Sequence, residues 1–136
     1  MDLTSPRTIR NIQEQFGFTF KKGLGQNFLT SRNILEEIVD AAEIESGVIE
    51  VGPGFGVLTS ELAQNSDKVV TIEIDERLID VLDYTLAEYD NVKIINEDIL
   101  KLDLKKVIND EFNGEKVSIA ANLPYYITTP IITKLL

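Results

Sequence analysis

Residues 50–56 read Glu50-Val51-Gly52-Pro53-Gly54-Phe55-Gly56, with glycine at every second place directly after an apolar run. Glycine accepts positive φ and lets another group come close to the backbone, so a strand that ends in such a run and turns into a helix makes a ligand cradle. The dinucleotide fingerprint G-x-G-x-x-G would put its third glycine at position 57, where the chain has Val57. That mismatch counts against a pyrophosphate ligand. A tight strand-to-helix turn without any ligand is the plain alternative.

Outward from this turn lie four short runs rich in β-branched residues, Val48–Val51, Val69–Ile74, Val92–Ile95 and Val117–Ala121. Each is continuous rather than alternating, as parallel strands covered on both faces require. Helical patterns fall between them at about Leu58–Gln64, Arg77–Ala87 and Leu104–Ile108. The alternation predicts an α/β fold with a doubly wound, mostly parallel sheet and right-handed crossovers. Upstream, Ser5-Pro6 has the grammar of a helix start, and that helix is expected to run toward Gln15 before Gly17, Gly23 and Gly25 break the chain up. Ile34, Leu35, Ile38, Val39 and Ala42 form an apolar stripe on a second helix, from Thr30 or Ser31 to before Ser46-Gly47. Thr129 to Leu136, with Pro130 near its start, reads as the first turns of a further helix, so the sheet is expected to be truncated after the fourth strand. That strand would then be an unpaired edge, which invites self-association.

The 136 residues, at 15.2 kDa, suffice for one domain at most. Without cysteine or histidine, the chain has no disulfide, thiol nucleophile, imidazole base or zinc site built from those ligands. No metal is expected, and chemistry must come from carboxylates, amides, hydroxyls and backbone. No apolar run approaches the roughly 18 residues of a membrane helix, and Met1 to Arg10 is too polar for a signal peptide, which points to the cytoplasm. The net charge of −10 argues against nucleic acid if taken alone. Its distribution is uneven, however: residues 1–35, with Arg7, Arg10, Lys21, Lys22 and Arg32, carry a net +3, while residues 36–136 carry −13. The chain reads as a basic arm on an acidic body.

Candidate contacts recur at the carboxyl ends of the predicted strands, where open α/β sheets bind ligands. Glu73, after the second strand, can accept hydrogen bonds from both hydroxyls of a ribose; the plain alternative is an exposed strand-end carboxylate. Asp98, after the third, can accept from the exocyclic amine of an adenine, or can simply cap the following segment. Together with Gly52 and Gly54 these acids favour a nucleoside cofactor without a phosphate requirement. The fourth strand ends in Asn122-Leu123-Pro124-Tyr125. The Asn122 side-chain oxygen and the Leu123 carbonyl can accept the two hydrogens of an adenine amine and localise its lone pair. Pro124 stiffens the turn, and Tyr125 can stack on the base. A proline-terminated strand followed by packed tyrosines is the alternative, and Tyr126 is read as packing. Phe18 to Leu29 combines aromatics, Lys21, Lys22 and the amides Gln26 and Asn27, as a flap over a cofactor would, or a linker packed on the domain.

With these residues in hand, the chain resembles the KsgA family of ribosomal RNA adenine dimethyltransferases, which use S-adenosylmethionine. Leu24-Gly25-Gln26-Asn27-Phe28-Leu29 is similar to the family's N-terminal cofactor motif, and Glu50 to Gly56 to its first methyltransferase motif. Thr71-Ile72-Glu73-Ile74-Asp75 resembles the ribose-binding acidic motif, Glu97-Asp98-Ile99 the adenine-contacting one, and Asn122 to Tyr125 the catalytic tetrapeptide. The resemblance implies a Rossmann-like methyltransferase core. It also implies dimethylation of the N6 amines of two adjacent adenines near the 3′ end of small-subunit (16S) ribosomal RNA, in ribosome biogenesis. Gln26, Asn27, Leu29, Gly52, Gly54, Glu73, Asp98 and Asn122 would contact the cofactor, and Asn122, Leu123, Pro124 and Tyr125 would form the catalytic element.

Erm-type enzymes, which act on large-subunit RNA, share this core but usually carry Asn-Ile-Pro-Tyr, so the small-subunit family is preferred. Family members are longer and end in a helical domain, so the chain is expected to be an N-terminal fragment. Residues 1–29 would be the basic arm and flap, and residues 30–136 a partial methyltransferase domain. Two other classes stay in view, a non-catalytic cofactor- or RNA-binding fragment and a nicotinamide-dependent oxidoreductase.

Overall fold

The computed structural model describes Leu3, residues 5–17 and residues 32–121. Among these, β1 (Gly47–Val51), β2 (Lys68–Ile72), β3 (Val92–Ile95) and β4 (Val117–Ala121) form one sheet in the order β3-β2-β1-β4. Every neighbouring pair is parallel. Helices α1 (Pro6–Phe16) and α2 (Arg32–Ala42) precede the sheet. Three more serve as crossovers: α3 (Val57–Gln64) joins β1 to β2, α4 (Glu76–Thr85) joins β2 to β3, and α5 (Leu104–Phe112) joins β3 to β4.

The strand order explains the layers. The chain steps outward from β1 to β3 and then returns to the far side of β1, and right-handed crossovers put helices on opposite faces when the direction of winding reverses. Side chains of a strand alternate between faces. Accordingly Val48 and Val69 lie with Ile12, Leu35, Leu58, Leu62 and Val81, from α1 to α4. Ile49, Val51, Val70 and Ile72 lie with Val107 and Phe112 of α5 and with Ile99 and Leu102. Because both faces are covered, β1 is buried along its whole length. A fully buried leucine such as Leu58 or Leu62 contributes about 1.5–3 kcal/mol relative to exposure.

The boundaries differ from the sequence reading in instructive ways. β2 ends at Ile72, not Ile74: the Glu73 amide still donates to the Ile95 carbonyl at 2.9 Å, but the Asn96 side chain then captures the carbonyls of Glu73 and Ile74 at 2.9 and 3.2 Å. α4 starts at Glu76 because Asp75 caps it, accepting from the Arg77 amide at 2.9 Å, and it ends at Thr85 rather than Ala87. α5 continues to Phe112 and stops where Asn113 adopts the left-handed conformation, φ 56°. Ser5 has the extended backbone of an N-cap ahead of Pro6, but its side chain makes no capping bond. β4 lies at the sheet edge, as expected, and among the described residues it pairs only with β1. Lys21, Lys22, Gln26, Asn27, Leu29, the tetrapeptide Asn122 to Tyr125, Tyr126 and the segment 129–136 lie outside the described residues.

Candidate functional site

The glycine run forms the first wall of a crevice at the carboxyl ends of the strands. The Gly52 amide donates to the Ile72 carbonyl at 3.1 Å, carrying the β1–β2 ladder one residue past the strand. The chain then turns through Gly52, Gly54 and Gly56, at φ 72°, 59° and 92°. Gly56 is constrained by its neighbours as well as by its backbone. A Cβ there would sit 3.0 Å from Thr85 Oγ1, 3.2 Å from Leu86 Cδ2 and 3.3 Å from Leu82 Cδ2, so glycine is required both by φ and by the closeness of α4. The Gly56 carbonyl accepts from the Ser60 amide at 2.9 Å, opening α3.

Glu73 stands at the end of β2, and the alternative of an exposed strand-end carboxylate is overturned, since only 7% of the residue is exposed. Its Oε2 accepts from the Asp75 amide at 3.0 Å. Burial pushes its pKa above the ordinary carboxylate value, and backbone hydrogen bonds from Asp75, Ile74 and Gly54 pull the other way. The carboxyl group therefore ties the β2–α4 turn to the glycine turn. A carboxylate has about four acceptor positions across its two oxygens, so it can also serve a ligand hydroxyl.

Asp98 follows β3 and is half-buried. Its Oδ1 accepts from the Leu100 amide at 2.9 Å, and its carbonyl accepts from the Lys101 and Leu102 amides at 2.9 and 3.0 Å. It caps that turn; the cap of α5 is Asp103, which accepts from the Lys106 amide at 3.2 Å. A carboxylate accepts through both oxygens, so Asp98 has acceptor capacity beyond this turn. The structure thus brings together Gly52, Gly54 and Glu73 at the mouth of β1 and β2, and sets Asp98 on the same edge of the sheet. β4 ends at Ala121, which is paired in register with Val51, and Asn122 follows it in sequence.

Two residues that adjoin these walls were not singled out by the sequence reading. Ile74 is 63% exposed beside Glu73, an apolar surface where the strand ladder has already stopped. Its position directly after the acid was the available signal. Glu50, inside the quoted stretch, is 1% exposed and points toward α3. Thr59 Oγ1 of α3 donates to Glu50 Oε1 in a short hydrogen bond, and Thr71 Oγ1, cross-strand from Glu50, donates to the same oxygen at 2.8 Å. Burial raises the Glu50 pKa to about 7; the two hydroxyls lower it, and nearby Glu73 raises it further. Its signal was a lone carboxylate in a fully apolar strand. Among the described residues, no cluster of three acids is placed to hold a metal ion, and no helix is long and apolar enough to cross a membrane.

The donor set fits an adenosine-bearing ligand. Glu73 could offer acceptors to vicinal hydroxyls, Asp98 an acceptor to an exocyclic amine, Ile74 an apolar surface to a purine face, and the glycine turn a backbone that a ligand chain can approach closely. Solved structures share this fold. The 23S rRNA methyltransferase ErmE superimposes with a TM-score of 0.63 at 30% identity, covering 76% of this chain and 40% of that one. A dimethyladenosine transferase from Plasmodium falciparum gives 0.60 at 32% identity, covering 77% and 36%. The fold is that of the Rossmann-like methyltransferases.

Within that class the chain belongs to the ribosomal RNA adenine dimethylase family, whose profile matches residues 17–136. A Bacillus cereus (strain B4264) relative, ribosomal RNA small subunit methyltransferase A, is 56% identical over 138 residues, covering 99% of this chain and 47% of that protein. The chain spans about half the length of the curated relatives it matches. The resemblance to KsgA read from the motifs holds, the Erm relative is more distant, and the nicotinamide-dependent reading falls.

Proposed function

We propose that this chain is the cofactor-binding portion of an S-adenosylmethionine-dependent adenine N6-dimethyltransferase. Its substrate would be two adjacent adenines near the 3′ end of small-subunit (16S) rRNA, methylated during ribosome assembly in the cytoplasm. The observation that carries this reading is the buried Glu73 carboxyl, held between the glycine turn and the start of α4, in a chain 56% identical to a small-subunit methyltransferase. S-adenosylmethionine supplies, when bound, a methyl group on a sulfonium, so transfer to an amine needs neither a metal nor a base of histidine type.

Glu73 would accept the ribose hydroxyls and Asp98 Oδ2 the adenine amine, while Gly52 and Gly54 admit the remainder of the cofactor against backbone. Gln26, Asn27 and Leu29 would close over it as part of an arm and flap spanning residues 1–29. The methyltransferase domain would occupy residues 30–136. In it, the Asn122 amide oxygen and Leu123 carbonyl would accept the target amine's hydrogens, Pro124 would hold the turn, and Tyr125 would stack on the base.

Calorimetric titration of the chain with S-adenosylmethionine, with NADH as control, tests the cofactor assignment. Saturable binding of S-adenosylmethionine alone is expected. A folded chain that binds neither, or that binds NADH as tightly, refutes it. A second reading, self-association through the edge of β4 that no other described strand pairs with, draws on the 39% exposure of Ile119 there. Light scattering that shows monomer alone at high concentration removes it.

A further inference from the structure

The glycine turn is held by a residue thirty positions away in the chain. Thr85, the last residue of α4, is 2% exposed, and its Oγ1 donates to the Phe55 carbonyl at 2.8 Å. The same oxygen lies 3.0 Å from where a Cβ on Gly56 would stand, so hydroxyl and turn are in direct contact over two successive residues. The other end of α4 reaches the opposite wall of the crevice, where the Asp75 cap donates its amide to Glu73 Oε2 at 3.0 Å. The rings of Tyr84, beside Thr85, and Phe16 of α1 lie 5.7 Å apart with a 59° tilt, bracing this end of α4 from outside.

We propose that Thr85 is a positioning residue for the cofactor turn. Through its hydroxyl, α4 sets the distance between the glycine backbone and Glu73, the two elements assigned above to the cofactor; the inference rests on that assignment. A hydroxyl is needed because the contact is a directed hydrogen bond to a carbonyl, which an isosteric methyl cannot make.

The test compares Thr85→Val, which keeps the shape and removes the donor, with Thr85→Ser, which keeps the donor. In calorimetry with S-adenosylmethionine, Thr85→Val is expected to bind about fivefold more weakly, the order expected for one net hydrogen bond, and Thr85→Ser to return to within about twofold of wild type. A role confined to packing would give the reverse ranking, since valine fills the site better than serine. Thr85→Val binding as tightly as wild type, or Thr85→Ser binding no better than Thr85→Val, overturns the proposal. Amide hydrogen exchange at Gly56 in the cofactor-free chain gives a readout independent of the functional assignment. Exchange should be about fivefold faster in Thr85→Val and restored in Thr85→Ser. If the wild-type chain binds no S-adenosylmethionine, the assignment fails and exchange alone decides, unchanged Gly56 exchange in Thr85→Val overturning the latch. Should Thr85→Val not fold, Thr85→Ala replaces it against Thr85→Ser, from which it differs by the hydroxyl alone, and equal binding and equal Gly56 exchange in the two overturn the proposal.

Discussion

Replacing Glu50 by Gln should change how the stability of this chain depends on pH. Glu50 is closed off beneath the glycine turn, with the Thr59 and Thr71 hydroxyls on one oxygen, and burial raises its pKa from 4.5 to about 7. The folded protein therefore holds this proton more tightly than the unfolded chain does. Below pH 4.5 both states are protonated and the contribution is fully present. As pH rises through about 7 it is lost, because the folded state must then keep a carboxylate out of water. A rise of that size corresponds to about 3 kcal/mol.

Glutamine keeps an oxygen for the two threonine hydroxyls and cannot ionise, so its cost is the same at every pH. Urea unfolding of wild type and Glu50→Gln, at intervals from pH 4.5 to about 8, isolates the effect as the difference between the two curves. Subtraction removes the shared background, to which Glu73 contributes in the same sense and Asp75 and Glu111, with lowered pKa values, in the opposite sense. The variant should gain on wild type by about 3 kcal/mol across that range, most of it between pH 5 and about 7. A constant difference would mean that Glu50 is solvated or paired in solution and that the buried hydroxyl cluster is wrongly drawn.

Other perturbations reach the site more directly. Glu73→Ala should weaken S-adenosylmethionine binding about a hundredfold by calorimetry, since hydrogen bonds to a charged group are each worth about 1.5–3 kcal/mol; binding within a factor of about two of wild type would remove Glu73 from the site. Gly56→Ala forces a side chain into φ 92° with its Cβ 3.0 Å from Thr85 Oγ1, and should lower unfolding stability by about 2 kcal/mol in urea titrations. In the complete enzyme, Asn122→Ala should abolish methylation of assembling small subunits while S-adenosylmethionine binding stays measurable; methylation at wild-type rate would refute the role given to Asn122.

The sheet was legible because parallel strands sandwiched between helices read as nearly continuous apolar runs, and Val48–Val51 and Val69–Ile72 announce themselves in spite of Glu50 and Thr71. The strand's true end was not, because Ile74 continues the apolar run while the capture of its carbonyl by Asn96 is a contact between strands. The polar stretch Asn109-Asp110-Glu111 hid the last turn of α5, which Phe112 anchors in the core. Glu73 and Asp98 could be placed from strand ends alone. That Asp98 closes its own turn through the Leu100 amide depends on local backbone geometry that the spacing of residues does not carry. The partners of Glu50 and Thr85 were hidden for a different reason. Thr71 across the sheet and Phe55 in the glycine turn are brought to them by register and packing, and those exist only once the chain has folded.

The strand order also dictates a timetable. Gly47 meets Lys68 after a short excursion, but its pairing with Val117 must wait until β2, α4, β3 and α5 have all been made. As the chain leaves the ribosome, β1 to β3 can therefore assemble while the second edge of β1 stands open, a row of unpaired amides and carbonyls beside the apolar Ile49 and Val51. Closing that gap is a long-range step, slow by the logic of loop closure, and it is the stage at which a nascent copy is most exposed to pairing with the wrong strand.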